Sequence, residues 1–201
     1  MLIHLTPLAA PLALLAAAAL AFLSTGPRPR QAIRAAEAAA LLAIVTAIGS
    51  AGLLIAHGPG TSSLIGFSGV GLSVRLDAVS AVMALVVSFV GWAVVRYSGT
   101  YLDGDARQGS FTGWLLATLA AVLLLVQAGN LWLFTGTWIA TSLLLHRLLL
   151  FYPERAAAQR TARKKFVTAR LSDAALIGAA ILLAHAFGSS DIATISAEAR
   201  K

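Results

Sequence analysis

The stretch AAEAAALLAIVTAIGSAGLLIA, residues 35–56, has one charged side chain, Glu37, in 22 positions. A bilayer core about 30 Å thick is crossed by roughly 20 apolar residues of helix. Five further apolar stretches resemble it, and lipid cannot satisfy open backbone. The sequence therefore predicts an all-α, polytopic transmembrane helical bundle of about six spans. The predicted spans are residues 7–23, 35–56, 76–95, 111–127, 131–151 and 166–187.

The distribution of basic residues predicts the orientation of this bundle. Of all residues, 59% are hydrophobic and 11% are charged, well below the charged fraction of a soluble domain. The first, third and fifth connections are the basic ones, and basic connections prefer the cytoplasm. We therefore expect a multi-pass protein of the cell inner (plasma) membrane with its N-terminus outside. The Arg and Lys residues of these three connections are Arg28, Arg30, Arg34, Arg96, Arg107, Arg155, Arg160, Arg163, Lys164 and Lys165.

The first span has no Lys or Arg before it, which is the reverse of a secretion signal. We therefore interpret it as a transmembrane helix. The net charge of +7 is then mainly a topology signal, and no nucleic-acid partner is expected because the charges form no single basic face.

Several kinds of site have no support in the sequence. The chain has no cysteine, which excludes a thiolate metal site, a disulfide or an iron–sulfur cluster. Its four histidines are scattered, and neither a phosphate-binding nor a dinucleotide-binding glycine motif is present. We expect no cofactor and no metal in this chain.

The predicted outer loop at residues 58–77 is rich in Gly and Ser, and residues 69–76 alternate small or polar positions with apolar ones. This pattern indicates a short β-hairpin, with an irregular packed loop as the alternative. Asp77 is placed to cap the third span at its N-terminus.

Ionisable residues inside predicted spans are the first candidates for function, because each costs at least about 2.5 kcal/mol at mid-bilayer. Asp173 lies seven residues into the sixth predicted span. Arg170 precedes it by three positions and shares its helix face. The two residues either belong to a proton or ion path or form a structural pair against another helix.

Three further candidates lie near the predicted inner surface. Lys164 and Lys165 stand where the fifth connection enters the membrane, as interfacial anchors or beside a transport path. His146 lies near the inner end of the fifth span and could relay protons near neutral pH. A satisfied interfacial contact with Arg147 is the alternative for this histidine.

Three segments carry a resemblance to a known family. They are LDAVSAVM at 76–83 with YS at 97–98 and YLDGD at 101–105, NLWLFTG at 130–136, and ARKKF at 162–166 with RLSD at 170–173. Together they resemble the subunit L type of proton-pumping, antiporter-like proteins, found in NADH-quinone oxidoreductase and in cation/proton antiporter assemblies. The resemblance implies membrane helices that move ions.

Two departures from that family stand out. Trp138 occupies the position at which respiratory members carry a buried glutamate tied to proton translocation, and Trp138 cannot carry a proton. Ser172 replaces the usual glycine before Asp173.

The stretches at 138–147, 150–155 and 163–166 are similar to one branch, the membrane subunit of the DAB inorganic-carbon accumulation complex. This implies a large peripheral zinc-binding partner like a carbonic anhydrase, with proton or cation flow driving CO2 hydration. Zinc would belong to the partner, and this chain is not expected to be catalytic alone. The alternatives are a proton-translocating subunit L and a non-conducting membrane anchor.

The family has about fourteen spans, so the resemblance implies that this chain is an amino-terminal portion. Its expected organisation is two helices with an outer loop at 1–75, antiporter-like helices at 76–187, and an outer segment at 188–201.

Overall fold

Seven α-helices follow the apolar stretches in a computed structural model that describes residues 2–24, 26, 28–67, 70–152 and 156–200. A 3-10 segment, Leu2–Leu8, leads into the first helix. The helices are α1 (Ala9–Leu23), α2 (Arg30–His57), α3 (Ala78–Tyr101), α4 (Gln108–Val126), α5 (Leu131–Leu149), α6 (Ala156–Phe187) and α7 (Ile192–Glu198).

Among the described residues, five helical segments are long and apolar enough to cross a membrane, namely Leu5–Leu23, Arg30–His57, Ala78–Tyr101, Gln108–Val126 and Gln159–Phe187. They confirm the predicted all-α, polytopic membrane architecture. The predicted fifth span exists as α5 but is not among these five candidates. It is as long as α4, with 19 residues, but its threonines together with His146 and Arg147 lower its hydropathy.

The sixth predicted span was placed too late. α6 begins at Ala156, ten residues before the predicted start, so the basic residues Arg163, Lys164 and Lys165 lie on the helix and not in a loop. Alanine, lysine and arginine are all strong helix formers, which accounts for the longer helix. Residues 153–155 of the predicted fifth connection lie outside the described residues.

Small side chains let the first four helices approach closely. α1 packs against α2 and α4, and α2 packs against α3. The buried core is dominated by alanine, with Leu14, Leu116 and Leu123 as its large members. Gly109 shows how tight the packing is, since a Cβ atom there would lie 2.7 Å from the backbone oxygen of Ser24. Small interfacial residues of this kind are typical of membrane helices.

The loop between α2 and α3 forms the short hairpin that the alternation predicts. Its strands are β1 (Gly60–Thr61), β2 (Ile65–Phe67), β3 (Val70–Leu72) and β4 (Arg75–Leu76). β1 pairs antiparallel with β4, and β2 pairs antiparallel with β3. Residues 68 and 69, the first of the alternating run included, lie outside the described residues.

Asp77 caps α3 as predicted. Its carboxylate accepts a hydrogen bond from the backbone N–H of Ser80 at 2.8 Å, and the Ser80 hydroxyl accepts one from the backbone N–H of Asp77. This reciprocal capping box fixes the start of the helix directly after the hairpin.

Backbone hydrogen bonds join three connections on the hairpin side of the bundle. The N–H of Arg75 donates to Gln127 O at 2.8 Å, which ties the hairpin to the turn between α4 and α5. On the other side of this turn, the N–H of Leu131 donates to Ser190 O at 2.9 Å and that of Ile192 donates to Gly129 O at 3.0 Å. The far end of α6 is thereby fixed to the start of α5.

Candidate ion-path site

Asp173 lies on α6 with 4% of its surface exposed, on the side that faces α5. Its Oδ2 atom is 2.7 Å from Nη2 of Arg170, so the ion pair expected from their spacing is present. Arg170 Nη2 also donates to the Ser142 hydroxyl of α5 at 3.2 Å, and the guanidinium lies over the ring of Phe166. The pair therefore also connects α6 with α5.

The carboxylate of Asp173 has unused hydrogen-bonding capacity. Within the described part of the chain, neither of its oxygens accepts a hydrogen bond, and Nε of Arg170 makes none. The contact with Arg170 is therefore a close charge approach without hydrogen-bond geometry. A buried carboxylate balanced by one cation can accept a proton or a hydrogen bond from water, which suits it chemically to an ion path.

A cavity of about 620 Å³ runs between α5 and α6 and ends at Asp173. Lys164 and Lys165 line it from α6, so the structure brings three of the five candidate residues to one cavity. Nine residues separate Lys164 from Asp173, which corresponds to roughly 13 Å along the helix. Asp173 is the one acidic side chain among the described residues that line this cavity.

Trp138 lines the same cavity from α5. Its ring is 43% exposed and stacks against Phe134, with ring centroids 6.3 Å apart. The position at which the family resemblance predicts a glutamate therefore does face the cavity, but it holds an apolar ring.

Thr141 and Ser142 also line the cavity and were not predicted. A signal for them was available. They follow Trp138 by three and four positions, so they lie one helical turn further along the same face. Hydroxyl groups on a cavity wall can hydrogen-bond water and so support proton transfer.

His146 lies apart from this cavity. Its ring packs against Phe166 with centroids 4.9 Å apart, and it lines two other cavities near the end of α5. Its Nδ1 atom is buried and makes no hydrogen bond within the described residues. His146 therefore does not line the cavity that holds Asp173 and the two lysines.

A polar cluster that was not predicted joins the α3–α4 connection to the end of α5. Asp105 accepts hydrogen bonds from the backbone N–H of Arg107 at 2.7 Å and from the Tyr152 hydroxyl at 2.9 Å. These two bonds, the backbone one first, lower the pKa of Asp105. Burial and the bond to Asp105 raise the pKa of Tyr152. The cluster fixes this side of α5 relative to α4.

The described residues contain no group of three or more His, Asp or Glu side chains placed to hold a metal ion.

Comparisons with known proteins relate the chain to membrane subunits. Residues 65–112 match the family described as NADH-Ubiquinone oxidoreductase (complex I), chain 5 N-terminus. The probable inorganic carbon transporter subunit DabB2 of Halothiobacillus neapolitanus is 40% identical over 163 residues, which is 81% of this chain and 29% of that protein. Subunit L of the NADH-quinone oxidoreductase of Mycobacterium tuberculosis is 32% identical over 128 residues, which is 64% of this chain and 20% of that protein.

The fold is also found in a solved structure. The archaeal membrane-bound sulfane sulfur reductase, a respiratory membrane complex, contains a chain that superposes with a TM-score of 0.80 at 14% identity. The superposition covers 97% of this chain and 39% of that one.

The chain spans under a third of the length of these two curated relatives. The family match and the identities confirm the resemblance found in the sequence, and the apolar helices make the protein a multi-pass membrane protein. The chain is therefore similar to antiporter-like membrane subunits and, among them, to inorganic carbon transporter subunits.

Proposed function

We propose that this chain forms part of the membrane subunit of an energy-coupled inorganic-carbon pump. Proton or cation flow through the subunit drives the hydration of CO2 to bicarbonate by a large peripheral zinc-binding partner like a carbonic anhydrase. The carbon chemistry and the zinc belong to that partner. This chain contributes membrane helices and an ionisable group.

The 40% identity to a probable inorganic carbon transporter subunit is the observation that carries this proposal. The aligned part covers 81% of the chain, far more than the family match at 65–112. The tryptophan at 138 supports the same choice, because the resemblance implies a glutamate at this position in respiratory members.

Asp173 is the residue of this chain proposed to exchange a proton or cation with the cavity. Asp173 is 4% exposed, and an unpaired buried carboxylate is costly, so its pairing with Arg170 is needed to keep the charge in place. Lys164 and Lys165 at the other end of the cavity set its electrostatic potential. His146 is proposed to act at the end of α5 and not in this cavity, since it lines two other cavities there.

A second function has a specific observation in its favour. The 32% identity to subunit L of an NADH-quinone oxidoreductase supports a proton-translocating subunit of a quinone-reducing complex. A non-conducting anchor is the third possibility, and it differs from the other two because it needs no ionisable site.

Purification of the tagged, full-length gene product from its native membrane in mild detergent, followed by mass spectrometry and metal analysis, tests the proposal. Co-purification of a large zinc-containing protein supports the carbon pump. Flavin-containing and iron–sulfur subunits in its place would support the respiratory alternative.

The proposed ion path is tested separately with Asp173→Asn, which keeps the shape of the side chain and removes its charge. We expect the initial uptake of labelled inorganic carbon to fall about tenfold or more at unchanged protein level, because the loss of a general acid or base typically costs a factor of 10² to 10⁴. Glu37→Gln is the matched control, since its side chain is 36% exposed and pairs with Arg96 on the bundle surface. Equal uptake in the two variants would favour the anchor.

A further inference from the structure

A second cavity lies where α4 begins and α5 ends. It measures about 700 Å³ and is lined mainly by aromatic and aliphatic side chains, among them Trp114, Leu143 and Phe151. Two arginines, Arg107 and Arg147, also line it. A cleft with an apolar wall and cationic groups at a helix end has the polarity profile of the membrane interface.

Arg147 is the cation of this cleft that no carboxylate neutralises within the described residues. Its guanidinium lies over the ring of Trp114, 5.7 Å from the centroid. Arg96 offers a close comparison at the same end of the bundle. It lies 5.8 Å from the ring of Trp92, but its Nη1 is 2.9 Å from the carboxylate of Glu37.

A smaller cavity of about 310 Å³ adjoins the cleft and extends its positive charge. The two cavities share His146, Leu150 and Phe166, and the smaller one adds Arg163 from α6. Three arginines from three different segments therefore surround one apolar depression, and no acidic residue is among its described lining residues.

We propose that this depression binds an anionic phospholipid. The arginines, with Arg147 foremost, hold the phosphate of the headgroup, because guanidinium groups recognise phosphate with paired hydrogen bonds. The wall formed by Trp114 and Leu143 takes the first part of an acyl chain. Basic pockets between membrane helices are suited to anionic headgroups in this way.

The lining favours a lipid over an acidic peripheral protein. Here aromatic and aliphatic side chains form the wall, and the charges stand at the helix ends where headgroups lie. The inference does not depend on which ion or carbon species the subunit transports.

Quenching of Trp114 by brominated lipids tests the proposal in the full-length protein reconstituted into vesicles. The signal of Trp114 is taken as the difference between wild type and Trp114→Phe. We expect brominated phosphatidylglycerol to reach half-quenching at about a fivefold lower mole fraction than brominated phosphatidylcholine, since each basic residue near the surface contributes about this factor. Arg147→Gln should abolish the preference.

Arg96→Gln is the matched control, because Arg96 also lies over a tryptophan but is already neutralised by Glu37. This variant should retain the preference at Trp114. If Arg147→Gln does not fold, Arg163→Gln is the second test and should reduce the preference for phosphatidylglycerol. Equal quenching by both lipids in the wild type would overturn the proposal. Loss of the preference on adding millimolar inorganic phosphate would also overturn it, because that result indicates a site for free anions. An acidic protein partner predicts equally weak quenching by both lipids.

Discussion

Replacing Arg170 by glutamine removes the cation that pairs with the buried carboxylate of Asp173. The two charged atoms are 2.7 Å apart, which corresponds to a gross attraction of about 6 kcal/mol at an effective dielectric constant near 20. Solvent screens part of this, because the Arg170 side chain is 32% exposed. Breaking a buried pair from one side typically costs 3–5 kcal/mol, so we expect Arg170→Gln to lower the free energy of unfolding by about 3 kcal/mol.

Replacing the other member of the pair should destabilise the protein less. Asp173→Asn leaves Arg170 with its contacts to Ser142 and Phe166 and with access to solvent, so we expect a loss of about 1 kcal/mol. The double variant should have a free energy of unfolding only slightly below that of Asp173→Asn alone, because no buried charge is then left unbalanced. This corresponds to a coupling energy of about 2–3 kcal/mol.

Unfolding by dodecyl sulfate in dodecyl maltoside micelles, followed by far-ultraviolet circular dichroism, measures the four proteins of this cycle. Arg160→Gln is the control, since Arg160 is an exposed arginine on the same helix and its loss should change stability by less than about 0.5 kcal/mol. If the two single losses add to within about 0.5 kcal/mol in the double variant, the pair is not coupled and the reasoning is refuted.

The packing of α1 on α4 predicts that Gly109→Ala destabilises the bundle by about 1–3 kcal/mol, since the new methyl group meets the backbone oxygens of Ala21 and Ser24. Gly136 has open space around it, so Gly136→Ala should be neutral or stabilising in the same unfolding assay. Similar losses in both variants would contradict this account. The pKa of Asp105 is held below its ordinary value of 3.8 by its hydrogen bonds. The ionised carboxylate therefore stabilises the folded protein at higher pH, and this contribution is lost as the pH falls through the lowered pKa. Tyr152→Phe removes one of the two donors, so the loss of stability in acid should begin at a higher pH than in the wild type, in melting curves recorded between about pH 2.5 and 6. Identical pH profiles for the two proteins would show that this hydrogen bond does not lower the pKa of Asp105.

The sequence was sufficient to predict most of the fold because the apolar stretches are long and their caps are explicit. Asp77 starts α3 where the cap predicts, and the alternation before it gives a real hairpin. The start of α6 was missed because the basic run was assigned to the connection before the sixth span. Lysine and arginine are compatible with a helix that extends beyond the bilayer, and Ala162 within this run is fully buried.

The candidate site was only partly predictable. The spacing of Arg170 and Asp173 fixes their contact, since both lie on one helix. Whether His146 would join them depends on how far α5 is shifted along α6, and no periodicity in either helix determines that offset. His146 lies on the same face of α5 as Trp138 and Ser142, but one turn farther along the helix, where it contacts Phe166.

The hydrogen bonds on the hairpin side have a consequence for the motion of α6. This helix has 32 residues, or roughly 48 Å, and its backbone ties to Gly129 and Leu131 lie just beyond its last residue. A tilt of about 5° about that fixed end would displace Lys164, about 35 Å away, by about 3 Å, while Asp173 would move by less than 2 Å. The same small rotation therefore changes the width of the cavity more at its lysine end than at its acidic end, so access to Asp173 can vary while its pairing with Arg170, on the same helix, is kept.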